Sequence, residues 1–193
     1  MAASFPNSVK TFVPKENGDF LVPEDVNSVY DEVTAVETYL LTASPWGSFY
    51  DTTDQTAANT TTAYAMKFGS SDPSSYHVSV ASDGAALTRI TVVEAGVYNI
   101  QFSAQMTNTS TSDQDANIWF RLDGSDIAYS NSLVSIPAKH GGIDGHTIVS
   151  WNFMLRLTAG QYVQIMWQPE STSVSLDTIP AGTTPTTPVT PST

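Results

Sequence analysis

A period of two in the apolar residues constrains this chain more than any other feature. Tyr98, Ile100, Phe102, Ala104 and Met106 alternate with Asn99, Gln101, Ser103 and Gln105. Ile118, Phe120 and Leu122 alternate with Trp119 and Arg121. Val149, Trp151, Phe153, Leu155 and Leu157 alternate with Ser150, Asn152, Met154 and Arg156, and Val163, Ile165 and Trp167 with Tyr162, Gln164 and Met166. Successive side chains of a strand point to opposite faces, so each run predicts a strand with one face in a core. Gly96, Asp123-Gly124 and Ala159-Gly160 punctuate the runs as turns. About eight short strands with no helical pattern between them predict a mainly β protein, an antiparallel sandwich or jelly roll.

Charge narrows the partners. Seven basic residues against nineteen acidic give a net charge of -12. That balance repels phosphate backbones, so no nucleic-acid partner is expected. No stretch has the apolar length needed to cross a bilayer, so no membrane partner is expected either. The opening MAASFPNSVKTF lacks an apolar signal core, and the expectation is a soluble chain made without a secretion signal. There is no cysteine, hence no disulfide framework and no thiolate chemistry.

Outside the alternating block, two segments follow other rules. Val26, Val29, Val33, Val36 and Leu40 recur at intervals of three and four, a heptad seam of the kind by which helices pack on copies of themselves. Pro23 suits a first helical position, Glu24 and Asp25 suit the positive end of the helix dipole, and Ser44-Pro45 stops the helix. A single amphipathic helix docked on its own domain is the alternative reading of that seam. The ending PAGTTPTTPVTPST carries four prolines and no charge, which predicts an extended tail. The expected organisation is an extended arm over 1–22, a short trimerising helix over 23–45, a β head over 46–179 and a tail over 180–193. Phe5, Pro6, Val9, Phe12 and Val13 make the arm an apolar-polar strip suited to another protein's sheet edge or groove. Trp119, Met154, Tyr162 and Met166 fall on the faces opposite the core stripes. Such residues can be scattered surface side chains, the commoner case, while several together more often mark a subunit interface.

The sequence carries few residues in patterns that chemistry would need. No nucleotide-binding, nucleophile-elbow or zinc-protease motif occurs. Asp113, Asp115 and Asn117 open like a calcium loop, but Ile118 and Gly124 stand where that loop needs Gly and Glu. His140, Asp144 and His146 lie close together in KHGGIDGH, at a spacing that matches no ligand signature. Acids are scarce within the strands, which argues against a carboxylate pair for glycosidase chemistry. The chain is expected to be no enzyme, with no cofactor and no metal.

Three segments carry a resemblance. GVYNIQFSAQ, IWFRLDGSDIAYS and WNFMLRLTAGQYVQIMW, in that order and spacing, resemble the C1q/TNF-like jelly roll of bacteriophage virion proteins. FPNSVKTF followed by VNSVYDEVTAVETYL resembles the leader of phage minor structural proteins, with Asp31, Glu32, Val33, Ala35 and Glu37 as its helix motif. Gln161 stands where that family usually has Asp. The resemblance implies a homotrimer on the outer surface of a virion. Its arm would bind the major capsid protein or another virion protein, as a capsid decoration or cement protein or a short head fibre does. The alternative is a minor tail or neck fibre protein whose jelly-roll head binds a host surface receptor or glycan.

Overall fold

A computed structural model describes residues 10–12, 14, 16, 18–41 and 44–193, without the side chains of residues 40 and 41. Phe5, Pro6, Val9 and Val13 of the expected anchor lie outside the described residues, as does the Leu40 side chain. The chain divides into two units, Met1–Ser44 and Pro45–Thr193.

The first unit holds one helix, α1 (Pro23–Leu41). Proline at the first helical position lacks only an N–H that no helix would use. Asp25 in the first turn reaches back, its Oδ2 accepting the Val22 N–H at 3.0 Å, while the Asp25 N–H donates to Val22 O at 2.9 Å. This is the carboxylate half of a capping box. The helix starts at the expected Pro23, and residues 42 and 43 of the expected 23–45 lie outside the described residues.

The second unit is an antiparallel β sandwich. Its framework strands are β1 (Gln55–Thr56), β2 (Val78–Ser82), β3 (Leu87–Val92), β4 (Gly96–Asn108), β5 (Gln114–Leu122), β6 (Ser132–Ile136), β7 (Gly145–Leu157), β8 (Tyr162–Pro169) and β9 (Val174–Leu176). One sheet runs β7-β4-β9-β1 and the other β6-β5-β8-β3-β2. The pairing is nested: β1 with β9, β3 with β8, β4 with β7 and β5 with β6. A ribbon of strands wrapped so that first pairs with last is a jelly roll.

Every alternating run of the sequence is one of these strands, with the expected face inward. Met106, Ile118, Phe120, Leu157, Val163, Ile165 and Trp167 are all but fully buried. Phe120 stacks on Phe153 at 5.0 Å, and Phe102 meets Trp151 edge-on at 4.7 Å. β4 and β7 pair over 13 residues each, from Gly96↔Leu157 to Asn108↔Gly145. The Asp123-Gly124 turn joins β5 to the short return Ser125–Asp126, with both turn residues at positive φ (45° and 83°). That is the conformation a two-residue hairpin with matching twist requires.

The Pro/Thr segment, expected to be extended, contains two short strands. Gly182–Thr183 pairs with Thr186–Thr187 as a hairpin, bridged further along by Ile179↔Thr190. Its end then re-enters the head: Ser192 is fully buried, accepting the Gln105 N–H at 3.0 Å and donating its own N–H to Asp51 O at 2.8 Å. Proline forbids helix, but a hairpin of two-residue strands needs few donors from the prolines flanking it.

Candidate assembly surfaces

The helix presents two adjoining faces with different fates. Along one, Lys10 of the arm folds back: its Nζ donates to Ser28 O at 3.3 Å and stands 3.7 Å from Glu32 Oε2, and Ser28 is buried beneath it. The arm thus has an intramolecular contact that its sequence did not suggest. Phe12, two residues on, remains exposed. Along the other face Val26, Val29 and Val33 are 59%, 48% and 49% exposed, with Tyr30 beside them; Val36 is partly covered. Within its own unit the stripe is uncovered.

The outer surface of the sandwich corrects part of the sequence reading. Met166 points away from the main core but is 2% exposed, flanked across the ladder by Trp119 and Ala65. Trp119 and Tyr162 are half-buried and engaged: the Trp119 indole N–H donates to Asp126 Oδ1 at 2.8 Å, and the Arg89 guanidinium lies 4.6 Å from the Tyr162 ring. Only Met154 of the four remains an exposed apolar residue.

Met154 lies on β7, the outermost strand of its sheet. Gln105 uses its N–H and C=O on the side away from β7, so its ladder partner Ile148 turns its own backbone groups outward. The same holds for Ser150, Asn152, Met154 and Arg156. The interior of this edge, Ile148 to Met154, carries no charge, and Ile148 and Met154 are exposed. On the inner side Trp151, Phe153 and Leu155 pack against the core yet stay only partly buried. Proteins protect long edges with charge, proline or cover, and among the described residues this 13-residue edge has none of these in its interior.

The sequence's candidate metal ligands do not converge. The Lys139 ammonium pairs with Asp144 Oδ1 at 2.8 Å, His146 Nδ1 lies 3.0 Å from Thr107 Oγ1, and His140 pairs through its backbone with Ile143. Among the described residues no group of three or more His, Asp or Glu side chains could hold an ion. Gln161, the departure from the expected Asp, accepts the Thr158 N–H at 2.8 Å and donates to Asp123 Oδ2 at 2.9 Å. A carboxylate could not make the second bond, so this turn is held by the amide's double role. His77 sits before β2 at φ 55°, with Nδ1 2.6 Å from Glu94 Oε1 and its ring stacked on Tyr76. Asp126 is held below the ordinary carboxylate range by its bonds from Arg121 and Trp119.

The edge of β7 and the Lys10 contact were both missed by sequence reasoning. Alternation locates strands but not their order in a sheet, and a lone lysine in a polar arm carries no spacing signal. Comparison of the chain with protein-family models and with curated proteins finds no match.

Proposed function

We propose that the protein is a structural component of a bacteriophage virion, a homotrimeric decoration or cement protein or short head fibre with its jelly roll displayed outward. The observation that carries this reading is the uncovered Val26–Val29–Val33 stripe on α1. A heptad stripe left in water is satisfied by copies of itself. The bare edge of β7, with its half-covered aromatic row, supports self-association of the head as well. Three arms on one trimer then act together, so weak contacts to a repeated lattice add into firm attachment. The negative surface faces outward and keeps particles mutually repelling.

A second reading, a neck or tail fibre with a receptor-binding head, draws on Tyr129. This residue is fully exposed at φ 63°, and buried Ser130 locks its loop by accepting the Phe120 N–H and donating to Ile127 O. A bulky side chain held in a strained conformation is a feature of binding loops.

The copy number of the chain in purified particles separates the two: hundreds of copies mean decoration, a handful mean a fibre. A chain starting at Pro45 is expected to fold as strands and to leave stripped particles undecorated. Normal decoration by that truncated chain would place the anchor in the head and refute the arm.

A further inference from the structure

We propose that β7 is a two-fold contact, by which the head pairs edge to edge and antiparallel with β7 of a second copy about an axis at Trp151. The outward backbone groups limit the registers. Those of His146, Ile148, Ser150, Asn152, Met154 and Arg156 point away from β4, and among the described residues no hydrogen bond reaches them. Two copies of this edge therefore bond only where even-numbered residues meet even-numbered ones. The side chains then select one register. Among the large apolar residues of β7 only Ile148 and Met154 are exposed, and they stand at equal distances on either side of Trp151. With Trp151 opposite its own copy, Ile148 meets Met154 of the second copy and Ser150 meets Asn152. A slip by two residues sets Ile148 against Asn152 or Arg156 and loses the apolar match.

That symmetry is what identifies the occupant. A strand that pairs with itself across a two-fold must be its own complement, and a foreign partner imposes no such spacing. Charge agrees. The chain carries nineteen acidic residues, yet Gly145–Leu157 holds none, and Asp144 just before it is paired with Lys139. Two molecules of net charge -12 thus meet along this edge without opposing carboxylates. The inner side agrees as well. A two-fold normal to the sheet keeps both inner faces on one side, so the partly buried row of Trp151, Phe153 and Leu155 runs on into the same row of the second copy. Trp151 then covers its copy, and two four-stranded sheets become one of eight.

An isologous contact closes on two copies, so it joins the head of one trimer to a head of the next. A single strand pair buries less than the roughly 1,600 Å² of a standard interface. The contact is accordingly weak between free molecules and firm between neighbours held on one lattice. This consequence rests on the virion reading above, whereas the strand pairing itself does not.

The test uses the full chain, which has no cysteine of its own. Ile148→Cys with Met154→Cys puts thiols on opposing residues about 5.5 Å apart at Cα, within disulfide reach, while a slip of two residues separates them by about 7–8 Å. Within one strand the two positions are about 20 Å apart and cannot link to each other. At about 1 mM chain with oxidised glutathione, this variant is expected to give about tenfold more linked copies than either single variant. Adding Ser150→Lys sets two ammonium groups beside the axis and is expected to abolish the link. The unaltered chain supplies a second readout by NMR amide exchange. The amides of Ile148, Ser150, Asn152 and Met154 are expected to slow as protein concentration rises, and those of Trp151 and Phe153, bonded to β4, to stay unchanged. If the cysteine variant fails to fold, the unaltered chain still decides. Absence of that slowing, equal linking by the single variants, or stronger linking by Ile148→Cys with Asn152→Cys would overturn the proposal. So would a trimer mass that survives charge placed on the α1 stripe, because β7 would then serve a three-fold contact. Loss of the trimer alone leaves linked pairs, and loss of this contact alone leaves the trimer mass, so the two readings fall separately.

Discussion

Asn108 closes the junction where β4 ends, and it does so with every polar atom of its side chain. It is fully buried; its Nδ2 donates to Ser112 O, Ile136 O and Pro137 O, and its Oδ1 accepts the Ser110 N–H and the Ser173 hydroxyl. In sequence it reads as a glycosylation sequon, but burial shuts that reaction off in the folded chain. Asn108→Ala strands several buried backbone groups at once, and the expected cost is about 2–3 kcal/mol, read as a lower denaturant midpoint with unchanged slope. Gly145, ladder partner of Asn108, is needed for a different reason: a Cβ there would overlap Pro137 O. Gly145 of KHGGIDGH thus serves a close approach.

At the level of elements, the β2–β3 hairpin shows how a carboxylate sets a turn. Asp83 Oδ1 accepts the N–H groups of Ala85 and Ala86 at 2.9 Å, and Oδ2 accepts the Thr88 hydroxyl at 3.0 Å. The backbone bonds from Ala86 and Ala85 hold the Asp83 carboxyl below its ordinary value. Its stabilising contribution is therefore complete above the unfolded value of about 3.9 and is lost as pH falls through the lower folded value. Thermal unfolding from pH 7 to 2 is expected to show melting temperature declining below about pH 4. Asp83→Asn keeps the Oδ1 acceptor and removes the charge, so its acid limb is expected to be shallower. An identical acid limb in wild type and variant would assign the acid sensitivity to other carboxylates.

For the whole molecule, the decisive quantity is mass in solution. Light scattering at micromolar concentration is expected to return about three times 20.7 kDa. A monomer mass would remove the trimer. Each chain carries a net charge of -12, so added salt is expected to favour association by screening the repulsion. Val29→Asp with Val33→Asp places charge on the exposed stripe and is expected to weaken association. The strand signature in circular dichroism should stay unchanged, because those valines belong to the other unit and are not members of the head's core cluster. If the double variant keeps the wild-type mass, assembly runs through the β7 edge and not through α1.

The strands and their inward faces were legible from Tyr98 to Trp167 because side-chain alternation is a local consequence of the pleated backbone. Pro23, Glu24 and Asp25 marked the helix start for an equally local reason, the unsatisfied first-turn N–H groups. Which strands became neighbours could not be read that way. The nested pairing and the bare edge of β7 arise from contacts between residues far apart in the chain. The Pro/Thr end shows the limit most clearly. Its composition excluded a helix, yet the burial of Ser192 depends on the backbone groups of Gln105 and Asp51, which lie far away in the chain. Met166 teaches the same lesson: period two placed it outward, and neighbouring strands then covered it.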